Sequence, residues 1–214
     1  DLADAQTWLA PSVLRVSRGE APLTTPQLEL GGRYGLSDRF ELGARVWLPM
    51  PGYDLEAKIA LLRSDSPYSG FDLSLAPGAG YLYAPGGSGE ADGAALHVAS
   101  FFLPLLIGWN TGGGDQLVFA PKLVDVLSLP GGSGGMTTNM VMAGASLGYL
   151  WRATEQLSVM PELSAGTMVA GSLSGFGTDL SYGGANLQFS VGFLFGGHPS
   201  AALQCPAQPV PASH

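Results

Sequence analysis

Arg39-Phe-Glu-Leu-Gly-Ala-Arg-Val-Trp-Leu48 decides the fold. One parity reads Arg39, Glu41, Gly43, Arg45, Trp47; the other reads Phe40, Leu42, Ala44, Val46, Leu48. Strict period-two alternation marks a strand with one polar and one apolar face. The preceding stretch does the same, with Gln27, Glu29, Gly31 and Arg33 set against Leu28, Leu30, Gly32 and Tyr34. Gly35-Leu36-Ser37-Asp38 lies between them as a short turn, so the pair reads as a hairpin.

Outward from this hairpin the scheme recurs. Asp54, Glu56 and Lys58 alternate with Leu55, Ala57 and Ile59, and Asp72, Ser74 and Ala76 with Phe71, Leu73 and Leu75. Met140, Met142, Gly144, Ser146 and Gly148 oppose Val141, Ala143, Ala145, Leu147 and Tyr149. Ser158, Met160, Glu162 and Ser164 oppose Leu157, Val159, Pro161 and Leu163; Asn186, Gln188 and Ser190 oppose Leu187, Phe189 and Val191. Segments 8–17, 94–109 and 116–127 are less clean, and 94–109 is apolar on both parities around Pro104. A bulge that switches faces, an inner parity packed on methionines, or a protein-facing seam would each account for it. The count comes to about ten strands, with eight or twelve as alternatives.

Composition asks where such a chain meets water. Of 214 residues, 17 are acidic and 9 basic, so 12% are charged, about half the usual share of about 25%. A net charge of −8 with two lysines, Lys58 and Lys122, excludes nucleic acid as a partner of choice. One cysteine, Cys205, excludes a disulfide framework and a thiolate metal cluster. A soluble sandwich remains the fold-level alternative, but its outer face carries abundant Lys, Glu and Thr. Here the polar parity is Gly, Ser and a few charges, which suits a narrow interior, while the bulky parity needs an apolar surrounding. A closed barrel in lipid supplies both and satisfies every backbone group within the membrane.

Connection lengths alternate as well. Those at 35–38, 65–69, 110–115 and 153–155 are short, and those at 20–25, 49–53, 85–92, 130–137 and 172–182 are longer. Aromatic residues gather at strand ends, Trp8, Tyr34, Trp109, Tyr149 and Trp151 toward one rim and Trp47, Tyr53, Tyr81 and Tyr83 toward the other. Two interfacial girdles have this pattern.

On these residues the chain resembles the bacterial outer-membrane β-barrel proteins. The hairpin from Tyr34 to Ala44, its echo from Tyr149 to Val159 and the final strand Leu187–Phe195 carry the likeness. Residues 7–196 are the expected transmembrane barrel, an all-β, closed antiparallel up-and-down architecture. Residues 1–6 are expected as a periplasmic lead-in and 197–214 as a Pro-rich tail that cannot continue the sheet. No basic leader opens the chain, so the mature form is expected, with both termini periplasmic. Lipid or lipopolysaccharide and other envelope proteins, reached through loops or tail, are the expected partners.

Catalytic constellations are sparse. His97 is followed by Ser100 at the wrong offset for one strand face, and His198-Pro-Ser200 lies in the tail. The resemblance implies that hydrolases of this class set a His two residues before a Ser, so a non-enzyme is expected and a hydrolase is the lesser alternative. Gly86–Asp92 and Pro130–Gly135 read as outer loops rather than calcium or phosphate sites. Glu20, Asp54, Glu90, Asp92 and Asp179 gather toward the long-loop end, as a solvated rim rather than a metal site. No cofactor is expected. Arg15, Glu29, Arg33, Arg39, Glu41, Arg45, Asp54, Glu56, Lys58, Asp72, Lys122 and Glu162 form the expected charge network of the lumen. Buried charges must be paired. A plugged scaffold is therefore expected, with a narrow channel for small or hydrophobic solutes as the alternative.

Overall fold

Strict alternation along the chain becomes an antiparallel wall that closes on itself. The computed structural model describes residues 6–17, 23–48, 51–64, 66, 69–84, 96–111, 114–130, 137–154, 156–173 and 185–195. For 6–17 and 23–27 only the backbone enters the account. Eleven strands follow in order: β1 (Gln6–Ser17), β2 (Leu23–Ser37), β3 (Phe40–Leu48), β4 (Gly52–Leu62), β5 (Gly70–Leu75), β6 (Gly78–Ala84), β7 (Leu96–Asn110), β8 (Gln116–Pro130), β9 (Thr138–Arg152), β10 (Leu157–Leu173) and β11 (Ala185–Phe195). Each pairs antiparallel with its neighbours, and β1 pairs with β11, from Thr7 opposite Phe195 to Ser17 opposite Ala185. The ring is complete, so no edge is left open among the described strands.

Ten wall positions hold these eleven strands, because β5 and β6 are two halves of one. Both lie between β4 and β7, and the register with β7 runs unbroken from Gly70 opposite Asn110 to Ala84 opposite Leu96. The split falls at Ala76-Pro77, where Pro77 cannot donate to the ladder. Its carbonyl still accepts from the Ala57 amide at 2.9 Å, and the Pro104 carbonyl accepts from the Ala76 amide at 3.0 Å. Two donors are missing here, yet the register with β7 is the same on both sides of the split.

Exposure follows parity around the ring. Leu42, Val46 and Leu48 of β3, Tyr53, Leu55 and Ile59 of β4, and Phe101 and Leu103 of β7 are exposed on the outside. Leu117, Phe119 and Leu123 of β8, Leu147 and Tyr149 of β9, Leu163 of β10, and Leu187 and Phe189 of β11 continue this belt. On the inside, Asp54, Glu56, Ser74, Ser146, Ser158 and Ser164 are buried. Water-soluble folds bury the apolar parity; this one is inverted. The described residues thus carry their apolar face outward and their polar face inward.

The 94–109 stretch keeps its faces. β7 and β8 pair in one register from Leu96 opposite Pro130 to Asn110 opposite Gln116, so no bulge intervenes. Phe102 and Leu106 share the inward parity, and Phe102 packs under Arg45. The hairpin turn is also tighter than the sequence indicates. Ser37 pairs with Phe40 after a register shift at Gly35, leaving Asp38-Arg39 as the loop. A second tight turn, between β7 and β8, uses Gly114 at φ +83°, with its amide donating to the Thr111 carbonyl at 2.9 Å. The expected tail 197–214 and lead-in 1–6 lie outside the described residues, Gln6 excepted.

Candidate functional site: the charged lumen

Three adjacent strands place their charges on one inner wall. In β2, β3 and β4 the register sets Arg33 opposite Gly43, Gly43 opposite Glu56, Gly31 opposite Arg45 and Arg45 opposite Asp54. Arg33, Arg45, Asp54 and Glu56 thus each face a glycine on at least one flank. A Cβ at Gly43 would meet the Glu56 carboxylate at 2.8 Å, and one at Gly80 would meet the Ser100 hydroxyl at 2.7 Å and the Asp54 carboxylate closer still. These glycines therefore serve as room for the charged groups.

Arg45 is the hub. Its guanidinium lies 3.5 Å from Glu29, 3.4 Å from Asp54 and 3.6 Å from Glu56, and stacks 5.9 Å over the Phe102 ring. Arg33 pairs with Glu56 at 2.5 Å and donates to it through Nε at 2.6 Å. Lys58 reaches Glu41 at 3.5 Å. The carboxylates are enclosed: the side chains of Asp54 and Glu56 are 4% and 7% exposed. Glu162, on β10, acts electrostatically on Arg45 from another part of the wall. On that side Lys122 donates to the Ser164 hydroxyl at 3.4 Å, which donates to Glu162 at 3.0 Å.

A second polar cluster sits at the short-turn end. Asp72 accepts from the Ser64 amide at 2.7 Å, from Asn110 at 2.8 Å and from Gln116 at 3.0 Å. Gln116 also donates to Asn110 at 2.8 Å. Asp115, in the next turn, accepts from the Tyr149 hydroxyl at 2.8 Å and the Arg152 amide at 2.9 Å. These contacts stitch the hairpins together at one rim.

The structure brings Glu29, Arg33, Glu41, Arg45, Asp54, Glu56 and Lys58 together on one wall, Asp72 apart from them near the turns, and Lys122 and Glu162 on β8 and β10. Arg39 is a correction: it occupies the exposed Asp38-Arg39 loop rather than the lumen, because the hairpin closes one residue later than the alternation indicates. Asp54, read also as part of an acidic rim, faces inward to Arg45; Glu20, Glu90, Asp92 and Asp179 lie outside the described residues. Arg15 and Trp8 are corrections as well: by backbone register Arg15 falls in the outward row of Leu187 and Trp8 in the inward row of Leu194 and Gly31, the reverse of the lumen and girdle rows expected of them.

Among the aromatic residues, Tyr34, Trp109, Tyr149 and Trp151 are exposed toward the short-turn rim. Tyr53 and Tyr83 are exposed toward the other, where Tyr81 stacks at 5.8 Å on Tyr53 and its hydroxyl meets His97 Nδ1 at 2.5 Å. Trp47 differs. It shares the inward parity of Arg45, half-buried with its indole Nε1 covered, so it is no part of an outward girdle. The period-two rule places it there, two positions from Arg45. His97 and Ser100 take opposite faces of β7, so they form no dyad. His198 lies outside the described residues.

Sequence reasoning missed Phe102, Asn110 and Gln116 as luminal partners. Their parity in β7 and β8 was available, but uncharged residues drew no attention to themselves.

No protein-family model matches the chain, and no curated protein matches it in sequence. Solved structures similar to it include the outer membrane protease OmpT of Escherichia coli, at 13% identity and a TM-score of 0.47, covering 90% of this chain and 94% of that one. The translocator domain of the autotransporter NalP of Neisseria meningitidis gives 12% identity and 0.44, over 89% and 87% of the two chains. Neisserial surface protein A gives 8% identity and 0.35, over 90% and 96%. The strand pairings and inverted faces on their own make this chain an antiparallel barrel of the outer-membrane type, with ten wall positions.

Proposed function

We propose that this chain is a non-catalytic barrel of a bacterial outer membrane whose lumen is closed by its own charged side chains. It acts as an anchor that holds its connecting segments and tail within an envelope assembly. One observation carries the reading: Asp54 and Glu56 are almost wholly enclosed inside the ring, packed against Arg33, Arg45 and Phe102. In an open aqueous pore such carboxylates would be hydrated. Barrels of about eight strands leave room only for side chains, and ten positions widen this slightly. The paired charges of β2–β4 and the Lys122–Ser164–Glu162 chain fill part of that interior from two sides.

The start of β1 and the end of β11 lie at the short-turn end, which supports a periplasmic side for both, since outer-membrane barrels keep their short turns there. Lipid, including lipopolysaccharide on the outer leaflet, covers the apolar belt. With His97 and Ser100 on opposite faces, the hydrolase reading loses its best pair.

Planar-bilayer recording tests the plug. The folded chain is expected to give no steady ion current. A steady current would overturn the proposal in favour of a narrow, charge-lined conduit for small solutes.

A further inference from the structure

Exposed positive charge is scarce on this barrel and gathers at one place. Of the seven basic residues whose side chains the structure describes, Arg33, Arg45, Lys58, Lys122 and Arg152 are half-buried, and only Arg39 and Arg63 are exposed. Both line a single cleft of about 280 Å³ at the short-turn end, together with Asp38, Leu61 and Leu62. Arg39 comes from the loop between β2 and β3, and Arg63 follows the last residue of β4. The two turns are tied side by side. The Ala60 amide donates to the Arg39 carbonyl at 2.8 Å, and the Arg63 guanidinium donates to the Asp38 carbonyl at 2.9 Å.

That bond occupies one of the five guanidinium N–H groups of Arg63. The Arg39 side chain makes none, and neither arginine forms an ion pair among the described residues. Asp38 sets one carboxylate against two guanidinium groups, and Asp65 lies outside the described residues. The cleft therefore presents accessible donors and an excess of positive charge on a chain of net charge −8.

Apolar surface adjoins it. Register shifts at Gly35–Ser37 in β2 and Ala60–Leu62 in β4 fall beside the cleft, and Leu36, Leu61 and Leu62 are each more than half exposed there. Forked guanidinium donors match the oxygens of a phosphate, and basic pockets at a membrane surface take anionic headgroups. Leucines beside such donors suit the acyl chains of the same molecule. Short turns face the periplasm in the usual barrel orientation, so the headgroups at this rim are those of phospholipids rather than lipopolysaccharide.

We infer that the cleft between the β2–β3 turn and the end of β4 binds one anionic phospholipid of the periplasmic leaflet. Arg39 and Arg63 hold its phosphate, and its acyl chains run along Leu36, Leu61 and Leu62. The inference rests on the barrel residing in lipid and is independent of the plug.

The test titrates the refolded full chain, in uncharged maltoside micelles, with dioleoylphosphatidylglycerol, dioleoylphosphatidylcholine or inorganic phosphate. Native mass spectrometry counts the bound molecules, and heat-modifiable gel mobility reports the folded barrel. One phosphatidylglycerol is expected to bind, at least about tenfold more tightly than phosphatidylcholine. Arg39→Gln and Arg63→Gln are each expected to weaken it by about tenfold, the loss of a charge-assisted bond. Should Arg63→Gln fail to fold, Arg39→Gln carries the test, since its side chain makes no hydrogen bond in the structure. Arg152→Gln removes a cation from the same rim outside the cleft and is expected to leave binding unchanged. Equal binding of the two lipids, a folded Arg39→Gln that binds like the parent chain, or the same loss from Arg152→Gln would each overturn the site. Displacement of the lipid by an equal concentration of inorganic phosphate overturns the lipid as its occupant. A steady bilayer current overturns the plug and leaves this site standing, whereas a chain that folds in buffer without detergent overturns both.

Discussion

Replacing Arg45 by methionine removes the one cation shared by three carboxylates while keeping a long, apolar side chain. Glu29, Asp54 and Glu56 would then face one another at a wall where Asp54 and Glu56 are 4% and 7% exposed. Breaking a buried ion pair costs about 3–5 kcal/mol, because it strands the remaining charge. Two features move the figure to the lower end. The guanidinium contacts are 3.4–3.6 Å, longer than direct charge-assisted bonds, and the Arg45 side chain is 30% exposed. Glu56 also keeps Arg33 as its partner at 2.5 Å. We therefore expect Arg45→Met to lower unfolding stability by about 3 kcal/mol, roughly 150-fold in the folding equilibrium. Equilibrium urea unfolding in lipid vesicles, followed by tryptophan fluorescence and gel mobility, measures it. The deficit should narrow at acid pH, as protonation removes the uncompensated charge. A loss under about 0.5 kcal/mol at neutral pH would refute the reasoning and show that water already solvates these carboxylates.

Two further substitutions probe the wall itself. Leu123, midway along the outward face of β8 and 52% exposed, is expected to tolerate Arg poorly, losing about 2–4 kcal/mol in vesicle unfolding. In a water-soluble barrel the same change at so exposed a site would be nearly neutral, so a loss below about 0.5 kcal/mol would deny the lipid belt. Gly80→Ala drives a Cβ onto the Asp54 carboxylate and to 2.7 Å from the Ser100 hydroxyl. It is expected to cost about 1–3 kcal/mol in the same unfolding assay, and an unchanged midpoint would mean that Asp54 has room to turn away.

Much of the architecture was legible because a barrel wall has a single rule. In β3, β4 and β9 each residue's face follows from its parity, with no dependence on distant chain, so Leu42, Leu55 and Leu147 could be set outside and Arg45, Glu56 and Ser146 inside. Turns were less legible. The loop between β2 and β3 shifted by one residue through the irregularity near Gly35, and that moved Arg39 from the lumen to solvent. Trp47 was misplaced for a different reason: its aromatic character suggested a rim, but its position on β3 fixed its face.

By itself the sequence determined that the chain builds alternating strands with a bulky apolar face and a small polar one, because side-chain direction in a strand repeats every two residues. It also determined that charge is scarce on the apolar face and concentrated in the first half of the wall. Only the tertiary structure decided which charges meet. Closure and register bring Arg45 against Glu29, Asp54, Glu56 and Phe102, contributed by β2, β4 and β7. Those contacts depend on strand offset, and an error of one residue in any of the pairings would send the side chain to the other face.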